Sequence, residues 1–184
     1  DKLLRNQAIR EFNKAIKIDS AFVPAYLELY HQYMGLAKTD QGAKVFEKLK
    51  TLKPKALPRE QYQIEFLETT KSSDIQKVLE INKKWLEEFP GDRDANFSMA
   101  SVLYSTHKYE EAIPYYENVL KIDPKYKLAI NQLGYTYAQI GDYEKALSTL
   151  QTYQKVAPNE PNPYDSMGEI YWYIGDFKNA QEQF

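Results

Sequence analysis

The sequence contains no cysteine, two histidines and seven glycines in 184 residues. Without cysteine there is no disulfide, no thiolate metal site and no cysteine nucleophile; the composition fits a reducing compartment such as the cytoplasm without assigning one. No stretch approaches the roughly 18 to 20 apolar residues that cross a bilayer, which argues against a membrane-spanning helix. The first residues, DKLLRNQAIREF, read as an amphipathic helix rather than a signal peptide. Basic runs and aromatic-basic interleaves are missing too, and a net charge of −2 with a pI near 5.8 argues against an extended phosphate-binding face and so against nucleic acid.

Motifs that carry chemistry are equally scarce. There is no glycine-rich phosphate loop and no Gly-x-Ser-x-Gly elbow. His107 falls at a turn, and His31 stands on a helix beside no paired carboxylate, so neither has the several ligands at coordinated spacing that a metal needs. Glu87-Glu88 and Glu110-Glu111 read as solvation of outward helix faces rather than general acids, because no basic or polar partner accompanies them. No catalytic residue, metal or cofactor is expected.

What the chain does have is apolar residues, 43% against 27% charged, and a period. HKYEEAI at 107–113, GDYEKAL at 141–147 and GDFKNAQ at 175–181 are variants of one phrase set 34 residues apart. Around the central copy, Ile130, Leu133, Tyr137 and Ile140 mark one face of a helix at spacings of three and four. Gly141 ends that helix and Asp142 caps the next, whose seam is Tyr143, Ala146, Leu147, Leu150, Tyr153 and Val156 before Pro158 stops it. The unit is a helical hairpin, with the small residues Gly134 and Ala146 expected to face each other where the two backbones approach. So small a hairpin cannot bury its apolar faces alone, and copies must stack.

At these positions the chain resembles the tetratricopeptide repeat family. Residues 127–160 carry the pattern through Leu133, Gly134, Tyr137, Gly141, Tyr143, Ala146 and Pro158, and residues 161–184 through Tyr164, Met167, Gly168, Tyr171, Gly175, Phe177, Ala180 and Phe184. Residues 93–126 keep Met99, Ala100, Leu103, Tyr109, Ala112, Tyr116 and Pro124, with Pro114 inside the second helix. Residues 23–56 are looser, with Tyr30 at the small position and Gly42 where alanine is usual; 57–92 diverge further, with Phe66 at the small position, KSSD as turn and two extra residues near KALP. Residues 1–22 match only a second helix. The resemblance implies an all-α fold, an α-solenoid of antiparallel helical hairpins coiling as a right-handed superhelix, in one array over 1–184 that reads as a window from a longer one. The run PNPYDSMGEIYWYIGDF also resembles arrays that accompany kinase, cyclase or DNA-binding domains in bacterial signalling proteins, although no such domain is present here.

The function implied is that of a non-catalytic scaffold that binds a protein or extended peptide in a concave groove lined by first-helix residues pointing away from the seam. In this sequence these are Glu28 and His31; Ser98, Ser101 and Ser105; Gln132, Tyr135 and Gln139; and Ser166, Glu169 and Tyr173, with Asn131, Asp165 and Trp172 at the margins. Family members that grip acidic chaperone tails use lysine, arginine and asparagine there, and this set offers neither lysine nor arginine. The expected ligand is therefore neutral or basic rather than acidic. The alternative is a structural element that self-associates through its terminal helices, where Leu4, Ile9, Phe12 and Ile16 form an apolar stripe. Charge is also uneven, with 11 Lys or Arg against 6 Asp or Glu in residues 1–58 and 13 against 20 in residues 59–184, which reads as scatter on solvated helices.

Overall fold

Each first helix that carries a stop signal ends by folding its last turn back on itself. In the computed structural model, which describes residues 2–70 and 74–183, the amides of Lys38, Lys108, Asp142 and Asp176 donate to the carbonyls of Tyr33, Leu103, Tyr137 and Tyr171, each at 2.9 Å. This bond reaches five residues back and is the outer closure of a Schellman motif; the residue before the donor must then take a left-handed conformation. That residue is Ala37, His107, Gly141 and Gly175, at φ of 55°, 60°, 81° and 81°. The corner expected at KSSD falls on residues 71–73, outside the described residues. After two of the corners an aspartate caps the next helix: Asp142 accepts from the Lys145 amide and Asp176 from the Asn179 amide, both at 3.2 Å.

Between these corners, eleven helices and no strand occur among the described residues. They are α1 Lys2–Ile18, α2 Val23–Gly35, α3 Thr39–Leu52, α4 Pro58–Thr70, α5 Ile75–Glu88, α6 Arg93–Ser105, α7 Tyr109–Ile122, α8 Lys127–Gln139, α9 Tyr143–Val156, α10 Asn162–Tyr173 and α11 Phe177–Gln183. A short 3₁₀ turn at Lys53–Lys55 takes up the extra length between α3 and α4. Helix α7 runs through Pro114 without ending. The fold is an all-α solenoid of antiparallel hairpins, α2 against α3, α6 against α7, α8 against α9 and α10 against α11.

The chain forms two compact units, residues 1–74 and 75–184. In the first, Tyr26, Leu29 and Tyr30 of α2 meet Val45, Phe46 and Leu49 of α3, with Ile64 and Leu67 of α4 completing the core. Helix α1 buries no residue fully; Ile9, Phe12 and Ile16 are half-buried against that core, while Leu4 stays 62% exposed. In the second unit the core runs continuously through α6 to α10, with Met99, Leu103, Tyr116, Val119, Ile130, Leu133, Leu150, Tyr153, Met167 and Ile170. The close approach in the α8–α9 hairpin differs in detail from the sequence expectation. A methyl group on Gly134 would stand 2.8 Å from Cγ and Cδ2 of Leu150, so the nearest side chain to Gly134 is Leu150, one turn beyond Ala146. The missing side chain is the hole into which the branched Leu150, itself fully buried, is packed.

A polar and aromatic face on the first helices of residues 75–184

Helices α6, α8 and α10 are related by the repeat, so residues 34 positions apart occupy equivalent places on them. Two bonds tie the equivalent faces of α8 and α10 together. The Tyr135 hydroxyl donates to Glu169 Oε2 at 2.5 Å, and the Ser166 hydroxyl donates to Asn131 Oδ1 at 2.8 Å. Burial and the hydrogen bond to the Glu169 carboxylate push the Tyr135 phenol up to about 12, since both oppose a second negative charge at that spot. Tyr137, on the seam side, is pushed to about 12 by burial and by donating to Glu117 at 2.9 Å.

The fourteen residues expected to line the groove do not share one environment. Glu169, Gln139, Asp165, Ser105, Trp172 and Tyr173 are exposed, and Ser101, Asn131, Gln132 and Tyr135 are half-buried. Ser98 and Ser166 are buried, at 7% and 2% exposure, with hydroxyls spent inside the protein: Ser98 donates to Asn82 Oδ1 at 2.9 Å and Ser166 to Asn131. These two are equivalent positions of the repeat, and the third copy of that position, Gln132, is half-buried. Asp165 is exposed one residue before Ser166, and one residue is about 100° of helix rotation, enough to turn a side chain from the open face toward the adjacent helix. Glu28 and His31 are exposed on α2 of the first unit. Sequence reasoning passed over Tyr104, half-buried and edge-on to Tyr109 with centroids 5.3 Å apart. Counting 34 residues back twice from Trp172 leads to it.

The exposed aromatic rings of α10 are held by neighbours. Trp172 packs edge-to-face on Phe177, centroids 5.0 Å apart at 70°, and Tyr173 leans on Tyr143 at 6.1 Å. The cations of the same helices are committed elsewhere. Arg93 pairs with Asp94 at 2.9 Å and Asp123 at 3.6 Å and covers the Tyr126 ring at 4.7 Å, and Lys127 pairs with Glu160 at 2.5 Å. Neither Asp165 nor Glu169 has an ion-pair partner among the described residues.

Among the described residues no group of three or more potential metal ligands occurs, and no helix is long and apolar enough to cross a membrane. Two shallow cavities of about 340 and 440 Å³ lie along the second helices. Leu86, Pro90, Met99, Tyr115 and Asn118 line the first, and Leu120, Pro124, Leu133, Thr149 and Thr152, each 34 residues on, line the other. They are a furrow repeated by stacking, and Lys83 and Glu87 also border the first.

These hairpins define a class of helical-repeat proteins that generally act as non-catalytic interaction scaffolds. Residues 103–170 match the tetratricopeptide repeat family. Solved structures extend the likeness over most of its length. MamA 41-end from Desulfovibrio magneticus RS-1 is 23% identical with a TM-score of 0.67, covering 86% of this chain and 91% of that one. A thermophilic repeat protein of Thermus thermophilus, TTC0263, is 20% identical at 0.68, covering 88% and 87%. YrrB, described as having an unusual peptide-binding site, is 18% identical at 0.61, covering 94% and 88%. At such identities the likeness is one of fold. No curated protein matches the sequence.

Proposed function

We propose that the chain is a non-catalytic scaffold and that the open face of α6, α8 and α10 binds an extended, neutral or basic protein segment. The observation that carries this reading is the cross-link itself: Tyr135 and Glu169, and Asn131 and Ser166, join the first helices α8 and α10 into one surface that also carries the exposed Gln139, Trp172 and Tyr173. Gln132 and Gln139 offer hydrogen bonds to a backbone, while the Ser101 hydroxyl donates to the Phe97 carbonyl at 2.8 Å, and Tyr135, Trp172 and Tyr173 offer flat apolar area. An acidic tail would meet Asp165 and Glu169 with no cation on this face to receive it. The test is a peptide-array titration of wild type and of the double variant Tyr135→Ala with Gln139→Ala. Neutral or basic peptides should bind and lose at least tenfold in the variant. Tight, mutation-sensitive binding of acidic carboxy-terminal peptides would overturn the charge preference, and binding indifferent to both substitutions would move the site off this face.

A second reading, self-association, is favoured by the exposed apolar side chains Leu4, Ile18 and Phe22, at 62%, 89% and 43% exposure. Light scattering over a wide concentration range separates it from the first: a mass that climbs with concentration, and falls back in Leu4→Glu, supports it.

A further inference from the structure

Trp172 and Tyr173 are 63% and 75% exposed, an unusual amount of aromatic surface to leave in water on the second unit. Their rings are nevertheless held, Trp172 by Phe177 and Tyr173 by Tyr143. One turn back on α10 stands Glu169, a neighbour of Trp172 at three residues' spacing. Its Oε2 already accepts the Tyr135 hydroxyl, which fixes the carboxylate in place and leaves Oε1 for another donor. Asp165 lies in the first turn of α10, where the helix dipole favours an anion. Glu169 has no such support and no cation of its own among the described residues, since Arg93 and Lys127 are engaged elsewhere and α10 itself carries neither lysine nor arginine.

We infer that Glu169, Trp172 and Tyr173 form a docking point for an arginine side chain of the bound segment, an inference that rests on the binding face proposed above. The chemistry selects this occupant. An apolar side chain covering Trp172 would strip water from Glu169 without pairing it, and an acidic one would repel it. A guanidinium does both jobs at once, because its plane stacks on an aromatic face while its edge donates to a carboxylate; an ammonium is a more strongly hydrated point charge and stacks less well.

The experiment uses the 184-residue chain and capped, extended peptides of one sequence bearing arginine, citrulline, lysine or glutamate at the centre. Affinities are read by anisotropy of labelled peptide, and Trp172 emission is followed beside the buried Trp85. Citrulline keeps the shape of arginine and removes its charge, so the arginine-to-citrulline ratio isolates the ion pair. That ratio should be about tenfold in wild type, close to one in Glu169→Gln, and smaller at high salt; Trp172→Ala should weaken the arginine peptide most. Helical circular dichroism of both variants should match wild type, since the substituted side chains are exposed. Equal binding of arginine and citrulline, or a ratio unmoved by Glu169→Gln, overturns the inference; if the citrulline peptide still binds and is lost with Tyr135→Ala plus Gln139→Ala, the binding face itself stands. Failure of every peptide to bind overturns both. A change in Trp172 emission with protein concentration alone, abolished by Glu169→Gln, would assign the spot to a second copy and overturn it as well.

Discussion

Ala37 and His107 sit where Gly141 and Gly175 sit, in a left-handed conformation that a side chain makes costly by roughly 1 to 2 kcal/mol. Ala37→Gly and His107→Gly should therefore stabilise the fold, by about 0.5 to 1 kcal/mol each once the extra freedom of glycine in the unfolded chain is subtracted. Chemical denaturation of the two variants checks it, and a loss of stability in both would mean that these corners are not held as described. Two tyrosines give a second residue-scale prediction. Tyr135 and Tyr137 are both pushed up to about 12, against an ordinary phenol near 10. Since the folded pKa is the higher, their contribution to stability is complete below about pH 10 and is lost as pH rises from 10 toward 12. Burial also raises Tyr30, Tyr104 and Tyr116, so in an alkaline spectrophotometric titration five of the 16 tyrosines should ionise late, and Tyr135→Phe and Tyr137→Phe should each remove one step from that late group. The glycines and aspartates of the corners were legible in the sequence because the bonds they make are local. The pairing of Tyr135 with Glu169 was not, because it joins residues on helices whose contact exists only after stacking.

At the scale of the element, the α8–α9 hairpin depends on the space left by Gly134. Gly134→Leu should destabilise by roughly 1 to 3 kcal/mol, because even the first carbon of the incoming side chain would stand 2.8 Å from the fully buried Leu150. The double variant Gly134→Leu with Leu150→Ala should recover part of that loss, and a simple sum of the two single costs would show that the residues are not neighbours. The sequence pattern named Ala146 as the opposing residue, since both positions are small. Which residue fills a hole depends on the rotation of two helices about their own axes, and a spacing rule leaves that open by about one turn. The same rotation explains Ser166. It stands one position beyond the exposed Asp165, and a helical period marks a face without setting the edge at which exposure ends.

On the scale of the whole chain, each hairpin leans chiefly on its neighbours, so protection should be graded rather than uniform. In residues 75–184, α8 and α9 should exchange amide protons most slowly, and α11, with Ala180 as its single buried residue, fastest. In residues 1–74, α1, which buries no residue fully, should open before α2. Native-state hydrogen exchange measures both orders, and equal protection throughout a unit would show a cooperativity that stacking does not require. The sequence by itself determined the all-α class, the 34-residue period and the hairpin corners, because helix stops, caps and apolar seams act within a few residues of one another. Only the tertiary structure decided which side chains of the first helices remain open, that Leu150 fills the space at Gly134, and that Glu169 is fixed by Tyr135 beside an exposed Trp172. Those are contacts between side chains on different helices, and their outcome depends on which neighbouring surfaces cover a residue and which leave it to water.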